Sequence, residues 1–380
     1  LNIPFNEFNI SVELSQAQPL AFIIALFLSY ILTPIIKERA GFTTRKELES
    51  GRYYANVGDK MKTLSTPRLG GLSILISTAV TVVIFIIVYG RFTPAGIKHL
   101  ELEAIITGST MIFLIGLLDD IKPLPCITKL LGQVSSASIT SLLGLKIKFL
   151  ANPLYYFDHS LSPHIKLDAI SSFLITVAFL VLISNAINLI DGIDGLAAGV
   201  SVISAVAIWA ISLSPLLYRP DAAILAATLA GASLGFLRYN FNPARMFLGD
   251  NGSYLLGFVL ASLSCLGLAK KITVAIITPL LILIFALPLL DCFYTIIRRS
   301  LNKKNILKPD SEHLHHQLEN LGLSHKQINY LIYSLSLLCG GLGCFEVGYE
   351  IGISYLVIIG SIAAIWLVFS FIFNFKKQRF

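Results

Sequence analysis

Six aspartates are the chemically distinctive residues of this chain: Asp119, Asp120, Asp191, Asp194, Asp250 and Asp291. Each lies in or beside a long apolar run. An acid at the centre of a membrane helix costs roughly 2.5–3.5 kcal/mol, so acids in such places are functional candidates by default. Asp119 and Asp120 end one run, Asp191 and Asp194 separate two, Asp250 opens another, and Asp291 sits near the end of a further one. Carboxylates accompanied by Lys and Arg describe a pocket for a cation and an anion together. Mg²⁺ takes one or two carboxylates and fills its shell with substrate phosphate, while Lys and Arg hold the remaining phosphate charge. Placement alone therefore favours phosphoryl chemistry.

The elements that must position these acids are membrane helices. Hydrophobic residues make up 55% of the 380-residue chain and charged residues 13%, with mean hydropathy +0.76; soluble domains carry about 25% charged residues. Eleven stretches approach the roughly 20 apolar residues of a span. They begin near Leu20, Gly70, Glu103, Leu130, Ala169, Leu196, Ala222, Gly252, Ile272, Gln327 and Ile351. The fourth is rich in Ser and Thr, and the ninth carries Pro279 and Pro288. The fold expected is an all-α, polytopic transmembrane helical bundle forming a single catalytic domain over 1–380. The ten-residue alternation of a barrel is absent.

Basic residues set the orientation. With the N-terminus external, the inner segments hold 21 of the 29 Lys and Arg, and the outer ones 8. The C-terminus is then cytoplasmic, and the inner loops fall near 37–69, 119–129, 188–195, 238–250 and 298–326. All six acids lie at cytoplasmic helix ends. The net charge of +7 thus marks a membrane face, and no nucleic-acid partner is expected. The five cysteines, mostly in apolar runs, have neither disulfide nor zinc-ligand spacing. No cleavable signal peptide is visible, since the first apolar run is long enough to span. No internal repeat is evident, which weighs against a secondary transporter or flippase, the rival class.

Four segments carry a resemblance. They are Gly116-Leu117-Leu118-Asp119-Asp120 followed by Lys129; Asn185 through Leu196 (NAINLIDGIDGL); Asn242 through Ser253 (NPARMFLGDNGS); and His313-Leu314-His315-His316. Thr66-Pro67-Arg68-Leu69-Gly70-Gly71 is a weaker fifth. Together they resemble the polyprenyl-phosphate N-acetylhexosamine-1-phosphate transferase family, and within it the bacterial undecaprenyl-phosphate N-acetylglucosamine-1-phosphate transferases of the inner membrane. The muramoyl-pentapeptide relatives carry three consecutive His and usually ten spans. Here Leu314 interrupts the cluster, and eleven spans are expected. Many members read Asp-Asp-x-x-Asp in the first segment, where this chain has Pro123.

The resemblance implies transfer of N-acetylhexosamine-1-phosphate from a UDP-sugar to undecaprenyl phosphate, with release of UMP and initiation of a cell-surface glycopolymer such as lipopolysaccharide or teichoic acid. The alternative acts on a muramoyl-pentapeptide nucleotide. Mg²⁺ is the implied cofactor, with Mn²⁺ as a substitute, and family members are often homodimers. Asp250 is the implied metal ligand, with Asn188 as a second. Asp194, Phe247 and Asn240 would form the nucleotide pocket, and Lys129, His313, His315 and His316 would meet phosphate or sugar, as Arg245 would the diphosphate or sugar. Asp191 supports the site. Asp119 is a general base or a phosphate positioner, and Asp120 a phosphate positioner or a metal contact. A phosphate monoester has its second pKa near 6, so a base has little to remove from the lipid phosphate at neutral pH.

Overall fold

The computed structural model describes residues 5–49, 66–88, 99–152, 164–214, 217–268 and 321–346, with a few isolated positions between them. They form the helices α1 (Phe5–Glu49), α2 (Gly70–Val88), α3 (His99–Ile121), α4 (Cys126–Leu142), α5 (Ala169–Leu189), α6 (Leu196–Leu213), α7 (Pro220–Asn240), α8 (Gly249–Leu268) and α9 (His325–Glu346). Six of these, α1 to α3 and α5 to α7, are long and apolar enough to cross a membrane. The helices α4, α8 and α9 coincide with three further expected stretches, whereas those near Ile272 and Ile351 lie outside the described residues. So do Asp291, His313, His315 and His316.

Two features depart from the expectation. The inner loop placed near 37–69 is helical at its start, because α1 continues unbroken as far as Glu49. Between α4 and α5, at the end of the bundle away from Asp119, an antiparallel ribbon pairs β1 (Phe149–Ala151) with β2 (His164–Lys166). Its strands are three residues each, too short for the period-two signal to register.

Local chemistry sets the helix ends and satisfies the hydroxyls inside them. The Asp168 side chain caps α5 by accepting from the Ile170 and Ser171 amides, and Pro220 stands at the first turn of α7. Hydroxyls in apolar surroundings bond back to their own helix. Ser77 donates to the Ser73 carbonyl, Thr81 to that of Ser77, Thr228 to that of Ile224 and Ser264 to that of Leu260.

Small residues govern the packing. The helix α7 is central, with 83% of its apolar window buried, against 22% for α1. The two cross where Gly231 and Gly235 face the chain of α1. A Cβ at Gly231 would overlap the Phe22 carbonyl, and one at Gly235 the Leu26 carbonyl. This is the close approach that small residues four apart permit between membrane helices. Pro34 in α1 has no amide to give the carbonyl four residues back, that of Tyr30. The Tyr239 hydroxyl of α7 donates to this carbonyl at 3.1 Å. On the other side of the core, Gly108 and Gly116 of α3 lie flush against α8: a Cβ at Gly116 would stand 2.6 Å from the Asn251 Cα.

Gly231→Leu should therefore lose the α1–α7 crossing. Overpacking typically costs about 1–3 kcal/mol, and backbone contact on the far side leaves little room to yield. A fall in Tm of several degrees or loss of the monodisperse peak is expected in detergent, while Val83→Leu, on the exposed side of α2, leaves both unchanged.

Candidate active site

The first turn of α8 is where the acids meet. Gly249 takes φ +75°, a conformation that favours glycine, and turns the chain so that the amides of Asp250 and Asn251 point outward. Asp120 of α3 receives them. One of its oxygens accepts from the Asp250 amide at 3.1 Å, and the other from the Asn251 amide at 2.9 Å and the Asn251 side-chain amide at 2.6 Å. A carboxylate from a distant helix thus caps α8 and offsets the positive end of its dipole. The Asn251 side chain also donates to the Arg68 carbonyl at 2.7 Å. The segment 66–71 continues this seam: the Phe247 amide donates to the Pro67 carbonyl, the Gly70 amide to that of Phe247 and the Gly71 amide to that of Leu248.

Asp119 is engaged differently. One of its oxygens accepts from the Leu124 amide at 2.7 Å, fixing the turn that leads to α4, and the other from the Lys129 ammonium at 2.9 Å. Lys129 also stands 3.5 Å from the Asp250 carboxylate, bridging the two acids. The Asn188 side-chain amide donates to Asp250 at 3.1 Å and to the Ser253 hydroxyl at 2.9 Å. One turn deeper, Gln133 and Asn185 exchange side-chain amide hydrogen bonds of 2.6 and 3.3 Å. This pair fixes α4 against α5, and so Lys129 against Asn188.

The loop between α5 and α6 supplies Asp191 and Asp194. Asp194 accepts from the Ala244 amide at 2.9 Å and the Asn242 side chain at 3.3 Å. Buried Asn240 joins the same two loops, accepting from the Gly195 amide and donating to the Met246 carbonyl. Two residues of α9 hold the loop from behind: the Asn329 side chain donates to the Asp194 carbonyl at 2.7 Å, and the Tyr333 hydroxyl to that of Gly195 at 2.6 Å. The Asp191 carboxylate has no hydrogen-bond or ion-pair partner among the described residues. Burial holds it well above the usual carboxylate range, and the charges of Asp250, Asp120 and Asp194 push the same way against Arg68.

These residues enclose a cavity of about 570 Å³. Its lining includes Arg68, Asp120, Asp191, Asp194, Asn240, Phe247, Asp250 and His325. Asp119 and Lys129 stand behind Asp250 and reach the cavity through it. Among the described residues the lining carries four carboxyl groups and one guanidinium, a donor set that suits a bound cation. Arg245 is elsewhere: it lines a second cavity beside α1 and α7. Arg68, Asn251, His325, Asn329 and Tyr333 join the site without being among the residues expected from the sequence. Arg68 and Asn251 lie within the quoted segments, and Asn329 in an apolar helix is the kind of polar residue that marks a contact.

Residues 102–268 match the glycosyl transferase family 4. A probable undecaprenyl-phosphate N-acetylglucosaminyl 1-phosphate transferase of Bacillus subtilis is 37% identical over 356 residues, 93% of this chain and 87% of its own. The chain belongs to glycosyl transferase family 4. The polyprenyl-phosphate N-acetylhexosamine-1-phosphate transferase family expected from its motifs is borne out, and the protein is a multi-pass membrane enzyme of that kind. A decaprenyl-phosphate N-acetylglucosaminephosphotransferase of Mycolicibacterium smegmatis is 35% identical over 285 residues, 70% of this chain and 68% of its own. A phospho-N-acetylmuramoyl-pentapeptide-transferase of Staphylococcus epidermidis is more distant, at 31% over 338 residues, 84% of this chain and 96% of its own.

Asp120→Asn presents an amide to donors that need a carboxylate. Leaving a buried donor unsatisfied costs about 1–3 kcal/mol. The variant should melt several degrees lower, and the Asp250 and Asn251 amides should exchange hydrogen faster, as peptide-level exchange mass spectrometry would read.

Proposed function

We propose that this enzyme transfers N-acetylglucosamine-1-phosphate from UDP-N-acetylglucosamine to undecaprenyl phosphate, releasing UMP and beginning a cell-surface glycopolymer. The observation that carries the reading is the acid cavity, with Asp191 at its wall and Lys129 bridging Asp119 and Asp250. The higher identity to the Bacillus subtilis relative than to the pentapeptide transferase favours the amino-sugar donor. The bias of Lys and Arg favours a cavity facing the cytoplasm, where nucleotide sugars are made.

In this reaction an oxygen of the lipid phosphate bonds to the β-phosphorus of the donor. The bond from that phosphorus to the bridging oxygen breaks, and UMP departs with the bridging oxygen and its electron pair. Lys129 and Arg68 supply positive charge to the phosphates. Asp194, anchored to the 242–244 backbone, and Phe247, half-buried in the lining, provide a polar edge and an aromatic face for the uracil. Asp119, with each oxygen already bonded, positions Lys129. No proton need be removed, because the acceptor ionises by itself above its second pKa near 6.

The donor set fits a hard divalent cation. Among the described residues no three His, Cys, Asp or Glu side chains form a ready-made cage, and Mg²⁺ held by one or two carboxylates and phosphate oxygens needs none. Asp250 and Asp191, with the Asn188 amide, would hold it; bound there, Mg²⁺ or Mn²⁺ would neutralise charge developing on the leaving UMP.

Purified enzyme given undecaprenyl phosphate, Mg²⁺ and a panel of UDP-sugars should release UMP and yield one diphosphate-linked lipid, with N-acetylglucosamine as its sugar. Release from the muramoyl-pentapeptide nucleotide instead would overturn the donor assignment. Asp119→Asn should lower kcat by the same factor at every pH from 6 to 9, and both proteins should lose activity below about pH 6 as the acceptor phosphate takes up a proton. A variant deficit that grows with falling pH would restore Asp119 as a base.

A further inference from the structure

A second cavity, of about 610 Å³, lies between α1 and α7 on the same side of the bundle as the acids. Leu26 and Tyr30 of α1 form one wall, and Leu234, Leu237 and Arg238 of α7 the other; Phe241, Pro243 and Arg245 close its polar end. Among the described residues its lining contains two guanidinium groups and no carboxylate, the reverse of the acid cavity. Arg238 and Arg245 are exposed and have no ion-pair or side-chain hydrogen-bond partner among the described residues. Tyr30 and Leu234 are 45% and 37% exposed, so the apolar part opens to the bundle surface. The cleft is also firmly built: Gly235 sets the helix crossing beside it, and the Tyr239 hydroxyl on the Tyr30 carbonyl holds the walls together.

We infer that this cleft binds an anionic phospholipid of the adjoining leaflet, with its phosphate between Arg238 and Arg245 and an acyl chain along Leu26 and Leu234. Basic pockets between membrane helices take anionic head groups for this reason, and a tyrosine pair at the water boundary suits the glycerol region. The occupant is bulk phospholipid rather than polyprenyl acceptor, because Asn242 and Pro243 form a wall shared with the acid cavity and keep a phosphate here on its far side. The site does not depend on the donor or acceptor assigned above.

Native mass spectrometry of the full protein, exchanged from detergent into phosphatidylglycerol–phosphatidylcholine mixtures, tests it by lipid retention, independently of turnover. Wild type should retain phosphatidylglycerol over phosphatidylcholine. The preference should fall about fivefold for each of Arg238→Gln and Arg245→Gln, with Tm unchanged. Leu26→Trp, which fills the apolar part with both arginines in place, should also reduce retention. Equal retention by the double arginine variant, one-for-one displacement by undecaprenyl phosphate, or equally effective competition by inorganic phosphate would each overturn the assignment.

Discussion

The structure depends on how the first turn of α8 is met. A helix that begins at the end of a membrane bundle leaves amide donors unsatisfied, and here a single carboxylate from α3 takes two of them. The bond does two things at once. It places Asp250 at a fixed height beside Lys129 and Asn188, and it brings the Asp119–Asp120 turn against α8 although 130 residues separate Asp120 from Asp250. Gly116 makes the approach sterically feasible, and the 66–71 segment locks it from a third direction. Remove the cap and Lys129 still bridges Asp119 to Asp250, but α3 loses its carboxylate bonds to the first turn of α8.

Two cavities of opposite charge follow from that arrangement. The acid cavity concentrates carboxyl groups that repel one another, and the repulsion falls on Asp191, which has no side-chain hydrogen-bond partner among the described residues. The cleft beside α1 holds two arginines without an ion-pair partner among the described residues, next to an apolar surface. Asn242 and Pro243 separate them, and the same loop anchors Asp194. One short connection between α7 and α8 therefore sets the boundary between a site for water-soluble chemistry and one for lipid.

Much of this was legible in the sequence, for reasons that can be named. Helix positions followed from apolar length, and the starts at Gly70, Ala169 and Leu196 coincide with the structure because glycine or polar residues interrupt the runs there. The convergence of Asp120, Asp191, Asp194 and Asp250 followed from the cost of acids near membrane, which leaves them few places to go. Partners were less legible. That Asp120 caps α8, that Asn240 is occupied by two loops and that Arg245 faces the other cavity depend on rotamers and crossing angles, which no spacing encodes. The β1–β2 ribbon escaped because its strands are too short. Asn329 and Tyr333 escaped because their role is to bond backbone carbonyls, which leaves no motif.

That last pair bears on how the protein is made. Asn329 and Tyr333 hold the carbonyls of Asp194 and Gly195, yet they lie more than 130 residues later in the chain. During synthesis the loop first meets the 240–246 connection, about 50 residues later, and gains its bonds to Asn329 and Tyr333 only once α9 has been made. A chain halted before α9 therefore holds the loop from the front, through Asp194 and Gly195, and lacks the brace behind it.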